Sequence, residues 1–251
     1  MHRFYLPAEQ CQASTLVLTG REAHHGAGVL RLRQAERVTV LNGVGGELIC
    51  EVEQLERRQV RLRVLERRTI PPLPFQVTLL QALPKGKAFE SIIQKATELG
   101  AFRLVPLRSE RVVAAPIGEK ETADKIEKWR LLAVEAIKQC GSAWLPRIEP
   151  PLTPKQFLAR NEVFELSLLA SLHGGARHPR EYFSAYRSAH SCIPRSVCVW
   201  VGPEGDFTAD EVEMITAAGA RPMTLGRLVL RTDTAATSCL SIINYELQAP
   251  L

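Results

Sequence analysis

Val201-Gly202-Pro203-Glu204-Gly205-Asp206-Phe207 and Leu225-Gly226-Arg227-Leu228-Val229-Leu230-Arg231-Thr232-Asp233-Thr234-Ala235 are the stretches on which the reading of this chain turns. Each follows a short apolar run and leads into a segment with helical spacing. Glycine has no Cβ to hold a ligand away from the main chain, so such loops can present backbone N–H and C=O groups directly. Two of them at the ends of neighbouring strands, with polar residues converging, describe a binding site, because ligands of α/β sheets lie beyond the carboxyl ends of the strands.

The sequence around these loops alternates between two periods. Gln76–Leu83, Phe102–Leu107, Glu165–Ser171, Val197–Val201 and Pro222–Leu225 are predicted strands. Between them the spacing predicts helices. Gly86–Leu99 has Phe89, Ile92, Ile93, Ala96 and Leu99 on one face and Gly100 as its stop. Lys120–Gln139 has Ile126, Trp129, Leu132, Ala133, Ala136 and Ile137 inward. Thr208-Ala209-Asp210-Glu211 is a capping box opening a helix to Gly219, and Thr234–Leu247 is the last helix. The stretch from Ser171 to about Pro194 reads as less regular. Such alternation predicts an α/β domain with a largely parallel sheet.

Upstream, Ile70-Pro71-Pro72-Leu73-Pro74 is linker chemistry, since proline removes donors and favours extended chain. It divides the chain into 1–70, the linker 71–74, and 75–251. Residues 1–70 are β-rich: Thr15–Thr19, Arg37–Asn42, Gly46–Leu55 and Gln59–Glu66 are short apolar runs with partial alternation. Asn42-Gly43-Val44-Gly45-Gly46 reads as a hairpin loop, and the whole as a small barrel. Its basic residues are all arginines, among them Arg3, Arg31, Arg33, Arg57, Arg58, Arg61 and Arg63. They could grip phosphate or form a solvated strand face with glutamate partners. His24-His25 reads as a turn or helix start rather than a metal site.

At 251 residues and 45% hydrophobic content there is ample material for a core, and the net charge of +5 permits a nucleic-acid partner without requiring one. The six cysteines show no metal spacing, the N-terminus lacks an apolar signal core, and no apolar run approaches the roughly 20 residues needed to span a bilayer. A cytoplasmic protein with reduced thiols is expected, with neither membrane nor metal. Serine-elbow, HExxH, Walker and GxGxxG patterns are absent. What remains are backbone-rich loops with Glu204, Asp206, Arg231, Thr232, Asp233 and Thr234, plus the mixed-charge run Arg108-Ser109-Glu110-Arg111. Backbone groups suit a neutral or zwitterionic ligand carrying an adenine and a ribose.

Gly-Pro-Glu-Gly-x-Phe followed by Leu-Gly-x-x-x-Leu-Arg-Thr-x-Thr-Ala resembles the SPOUT methyltransferases, and in detail the family that methylates N3 of a uridine in 16S ribosomal RNA (RsmE). The likeness runs back through Lys85-Gly86, Gln94–Gly100, Pro106-Leu107-x-Ser109-Glu110-Arg111 and Gln139-Cys140-Gly141 to Val29-Leu30-Arg31, nearly the whole chain. It implies a PUA-like N-terminal barrel and a C-terminal α/β domain with a trefoil knot, a feature that periodicity would not have suggested. It implies S-adenosylmethionine held mainly by backbone, with Gly202, Pro203, Glu204, Gly205, Leu225, Gly226, Leu230, Thr234 and Ala235 around it, and Leu169 and Ala170 from the preceding strand. It further implies a homodimer acting on 16S rRNA or the assembled small ribosomal subunit, with Arg3, Arg31, Arg33, Lys85 and Lys95 as RNA contacts.

Uracil N3 carries a proton and is a poor nucleophile until that proton leaves. The enzyme must align the nitrogen with the methyl group and stabilise the developing anion. Arg231 or Arg111 could supply positive charge, with Thr232 and Asp233 orienting the base or assisting proton loss; Glu98 and Lys95 are second candidates. Arg111 could equally serve in a salt bridge with Glu110 or a helix carboxylate. Four positions depart from the family pattern: Asp206 stands for a glycine, Asp233 for a glutamate, and Ser142 and Gly28 for arginines. Rival readings are a SPOUT enzyme acting on another RNA position and a catalytically silent RNA-binding assembly factor.

Overall fold

The structure, a computed structural model, describes residues 1–56, 58–111, 119–172 and 175–248; Arg57 lies outside them. The chain forms two compact units, Met1–Pro72 with Val134–Leu145, and Leu73–Ala133 with Pro146–Leu251.

In the first unit, β1 (His2–Tyr5), β2 (Thr15–Thr19), β3 (Arg37–Leu41), β4 (Gly46–Leu55) and β5 (Gln59–Thr69) form one sheet in the order β1-β3-β4-β5-β2. The edge strands β1 and β2 do not pair, so the expected small barrel takes the form of a half-barrel. Alternation decides its inside: Leu16 and Leu18 of β2, Val38 and Val40 of β3, and Val60 and Leu62 of β5 share one core. The hairpin at Asn42–Gly46 is held by the Asn42 carboxamide oxygen, which accepts from the N–H groups of Val44 (2.9 Å) and Gly46 (2.7 Å). Gly43 and Gly45 there adopt φ of +76° and +92°. Strand β1, parallel to β3, had no sequence signal: it is four residues long and only Phe4 is buried. His24 closes the short helix α1 (Gly20–His24), and His25 opens a wide helical turn to Val29.

In the second unit, β6 (Gln76–Ala82), β7 (Arg103–Leu107), β8 (Arg147–Ile148), β9 (Leu166–Ala170), β10 (Ser196–Val201) and β11 (Arg221–Met223) form a sheet in the order β11-β9-β10-β6-β7-β8. Every adjacent pair is parallel. The helices are α2 (Ala88–Glu98), α3 (Glu119–Cys140, whose residues from Val134 on belong to the first unit), α4 (Pro154–Leu158), α5 (Pro179–His190), α6 (Ala209–Ala217) and α7 (Thr232–Gln248). Val77–Ala82 and Val197–Val201 are buried without interruption, as strands covered on both faces must be. Because all strands run the same way, the segments following β6, β9, β10 and β11 emerge at one edge, which brings the two glycine loops together.

Two expectations are corrected. The stretch read as irregular holds α5, whose signal is capping rather than periodicity: the His178 ring accepts from the Arg180 N–H, Pro179 opens the helix, and Tyr182 and Phe183 are its buried apolar residues. In α3, Trp129, Ala133, Ala136 and Ile137 are buried as expected, but Ile126 and Leu132 are only half-buried, while Val134 and Lys138 turn inward. Lys138 is accommodated by Glu22 (2.8 Å) and Glu135 (3.1 Å), since a buried ammonium needs paired carboxylates.

Candidate active site

The loop after β10 is anchored at its far end by Phe207, 1% exposed in the core. There the predicted capping box forms: the Glu211 N–H donates to Thr208 Oγ1 (3.3 Å) and the Thr208 N–H to Glu211 Oε2 (3.0 Å). Glu211 Oε1 also accepts from the Glu110 N–H (3.0 Å), so one buried carboxylate ties the run 108–111 to the start of α6. Within the loop, Asp206 has φ of +59°, the left-handed conformation that favours glycine. Aspartate tolerates it through a local hydrogen bond, here from the Phe207 N–H to Asp206 Oδ1 (2.8 Å). The departure at this position therefore has a local structural solution. Arg111 Nη1 donates to the carbonyl of Gly205, the Lys85 N–H donates to Glu204 Oε1 (2.9 Å), and the Thr232 hydroxyl donates to the carbonyl of Gly202 (2.7 Å).

The loop after β11 is built differently. Thr224 turns it, with the Gly226 N–H donating to Thr224 Oγ1 (3.1 Å). Gly226 has φ of +114°, and open space lies where its Cβ would be. Leu228 and Val229 are 79% and 76% exposed. The Ala235 N–H donates to the carbonyl of Arg231 (2.8 Å), which starts α7.

A cavity of about 340 Å³ lies between the loops. Of the residues expected around the cofactor, Ala170, Gly202, Pro203, Glu204, Leu225, Gly226, Leu230 and Ala235 line it. Leu169 is buried within β9, the Gly205 carbonyl faces Arg111, and Thr234 is exposed; these three are not in the lining. Sequence reasoning missed Ser171, Leu172, Gly175, Ala176 and Thr224. Ser171 and Thr224 directly follow β9 and β11, so the rule that placed the glycine loops could have found them. Gly175 and Ala176 precede the helix that was not foreseen.

A second cavity, about 770 Å³, lies beside the first. Its charged lining is Lys85, Arg108, Arg111, Lys125 and Lys128 against Glu90 and Glu204, over Leu83, Phe89, Trp129, Pro150 and Pro151. Lys128 pairs with Glu90 at 2.5 Å. Among the described residues, the lining of the first cavity holds one cation, Arg227, with Glu204 and Asp206. Glu204 stands in both walls.

The catalytic candidates separate. The Arg231 side chain is exposed and makes no hydrogen bond or ion pair among the described residues. Thr232 is 6% exposed, and its hydroxyl also accepts from Gln81 Nε2 (2.9 Å). Asp233 is half-buried in the first turn of α7, where a carboxylate is favoured by the helix dipole. Arg111 lines the larger cavity while holding Gly205. Lys95 and Glu98 are exposed on α2 and border neither cavity. In the first unit Arg3, Arg31 and Arg33 are all exposed, but Arg3 is engaged, donating to the carbonyls of Lys138 (3.2 Å) and Gln139 (3.0 Å) at the end of a helix. Ser142 bonds both main-chain groups of Trp144, and a Cβ added at Gly28 would meet the His24 ring at 3.3 Å. Burial pushes the thiols of Cys50, Cys198 and Cys239 up to about 12, which keeps them protonated and poor nucleophiles. Among the described residues no group of three His, Cys, Asp or Glu is placed to hold a metal, and no helix is long and apolar enough to cross a membrane.

Residues 71–244 match the family model of the RNA methyltransferase domain, and residues 18–65 that of the RNA methyltransferase PUA domain. The chain is 34% identical to ribosomal RNA small subunit methyltransferase E of Synechocystis, with 99% of this chain and 78% of that protein covered. It is 32% identical to the protein of the same name from Bacillus subtilis, with 98% and 97% covered. Among solved structures, a Legionella pneumophila methyltransferase in complex with its cofactor SAM superposes with a TM-score of 0.85 at 30% identity, covering 96% of each chain. Ribosomal RNA small subunit methyltransferase E from Neisseria gonorrhoeae, bound to S-adenosyl methionine, gives 0.85 at 27% identity over 98% and 97%. A PUA-like half-barrel joined to a SPOUT-type α/β unit, matched over almost its full length by these relatives, places the chain in the ribosomal RNA small subunit methyltransferase E family.

Proposed function

We propose that this chain transfers the methyl group of S-adenosylmethionine to N3 of a uridine in 16S rRNA of the small ribosomal subunit. One observation carries the reading: Glu204 stands in the wall shared by two cavities of opposite character. The smaller suits the methyl donor. Its size falls in the range of about 300–1,000 Å³ usual for small-molecule sites. Ala170, Ala176, Leu225, Leu230 and Ala235 offer apolar surface for a flat base, and Ser171, Thr224, Glu204 and Asp206 offer hydrogen bonds for a ribose and an amino-acid tail. The open space at Gly226 lets the main chain approach a ligand closely. The donor supplies an electrophilic methyl group when bound. Its sulfonium charge suits a lining in which carboxylates outnumber cations.

The larger cavity suits an acceptor strand, since its five cations match a phosphodiester backbone. Arg111 belongs to this wall and fixes Gly205 of the donor wall, so the same guanidinium holds the donor loop and faces the acceptor. Arg231, exposed just before α7, is the cation proposed to stabilise the uracil anion, with Asp233 beside it to orient the base. Arg31 and Arg33, exposed on the half-barrel, are proposed RNA contacts, and residues 1–70 are proposed as the RNA-binding domain. The reading includes the trefoil knot, a cytoplasmic location and a homodimer, which would cover exposed apolar side chains such as Leu228, Val229 and Tyr245.

Mass spectrometry of rRNA from a deletion strain tests the substrate: one 3-methyluridine should vanish from 16S RNA and return on complementation. An unchanged modification pattern would sink the assignment. Arg231→Ala should slow single-turnover transfer about a hundredfold or more while leaving S-adenosylmethionine affinity near wild type.

A further inference from the structure

Gln81 occupies β6, in the middle of the sheet, and is 0% exposed. It lies in register with Val201 of β10 on one side and Pro106 of β7 on the other. An amide buried among strands this apolar carries a desolvation cost that only its hydrogen bonds offset. Those bonds run one way. Gln81 Nε2 donates to the carbonyl of Ala82 (2.9 Å) and to Thr232 Oγ1 (2.9 Å). A carbonyl can only accept, so the amide nitrogen must face Ala82, and the reverse orientation would set two oxygens against each other. Thr232 Oγ1 therefore accepts from Gln81, and its single proton is left for the carbonyl of Gly202 at 2.7 Å. The relay joins the carboxyl ends of β6 and β10 to the first residue of α7. Gln81 Oε1, itself buried, has no hydrogen-bond partner among the described residues, so the amide is held here on its donor side alone.

We infer that Gln81 is a positioning residue for the methyl-donor site. By fixing which way the Thr232 hydroxyl points, it holds the Gly202 carbonyl and the loop behind it in the form that lines the smaller cavity. Thr232 is then the middle of the relay rather than a group that handles the uracil proton. The inference rests on the proposed donor site, but the relay itself is a property of the ligand-free protein.

Two substitutions of similar shape, Gln81→Met and Thr232→Val, each remove the relay without opening a cavity. Each should weaken S-adenosylmethionine binding about tenfold by calorimetry and raise its KM correspondingly, with kcat at saturating donor changed less than threefold. Thermal stability should hold or rise in Gln81→Met, where an apolar side chain replaces a buried amide, and fall in Thr232→Val, which leaves the Gln81 amide and the Gly202 carbonyl without their shared partner. The double variant should be no weaker than the weaker single, since both break the same chain. Thr232→Ser keeps the hydroxyl and should restore binding. Amide hydrogen exchange at residues 202–207 and 232–236, measured without any ligand, should speed up at least tenfold in Gln81→Met. Wild-type affinity in Gln81→Met, additive losses in the double variant, or unchanged exchange would each overturn the inference. Faster exchange in a protein whose wild type binds no S-adenosylmethionine would keep the relay and reject the donor site.

Discussion

The loop Gly202–Phe207 and the loop Thr224–Arg231 face the same cavity, yet they are held in different ways. The first has its carbonyls bonded by Arg111 and Thr232, a carboxylate bonded by the Lys85 N–H, and an aromatic ring sunk in the core. The second is turned by one threonine and then runs exposed through Arg227, Leu228 and Val229. A wall fixed before the ligand arrives spares the ordering entropy that binding would otherwise cost. A wall with few ties can close after the ligand has entered. The pair thus reads as one preorganised jaw and one that adapts.

The contrast can be broken most decisively at the glycines. A Cβ on Gly202 would meet Asp206 Oδ1 at 2.7 Å and Asp206 Cα at 3.1 Å, and Oδ1 is engaged by the Phe207 N–H. Gly202→Ala should therefore cost about 2 kcal/mol of stability by urea unfolding and lower donor affinity more than a hundredfold by calorimetry. At Gly226 there is room, and only the positive φ resists a side chain. Gly226→Ala should cost about 1 kcal/mol, with affinity falling about tenfold. If Gly226→Ala proves the more damaging of the two, the assignment of fixed and adaptable jaws is reversed. Smaller still, Leu228→Ser with Val229→Ser should leave monomer stability within about 0.5 kcal/mol, as expected for exposed positions away from special contacts.

A last, graded effect separates loop from scaffold. Arg103, aided by Arg160, holds the Glu162 carboxyl below its ordinary value of 4.5. A carboxyl whose folded value is lowered stabilises the protein fully above 4.5 and loses that contribution as pH falls through the lowered value. Urea midpoints should drop on acidification below this point, and Glu162→Gln should flatten the drop. An equal pH slope in the variant would remove Glu162 from the account.

Much of the second unit was legible because parallel strands announce themselves as apolar runs between amphipathic helices, and because capping at Thr208 is local chemistry. The cavity wall was legible at Gly202 and Gly226, though not at Gly175, which no strand end in the sequence announces. What stayed hidden was set by tertiary partners. Nothing near Gln81 in sequence indicates Thr232, which is 151 positions away. The capping role of Arg3 depends on carbonyls more than 130 residues downstream. Helix α5 was missed because its buried face is narrow, and β1 because one buried phenylalanine makes no period. Asp206 looked like a defect in the motif, and the structure supplies a left-handed backbone with its own hydrogen bond.

On this reading the two jaws serve methyl transfer to small-subunit RNA. Single-turnover transfer from methyl-labelled S-adenosylmethionine to small ribosomal subunits from a deletion strain tests it most directly. One labelled methyl should be found per particle, recovered after digestion as 3-methyluridine. Label on another base or on a ribose, or none despite bound donor, would contradict it.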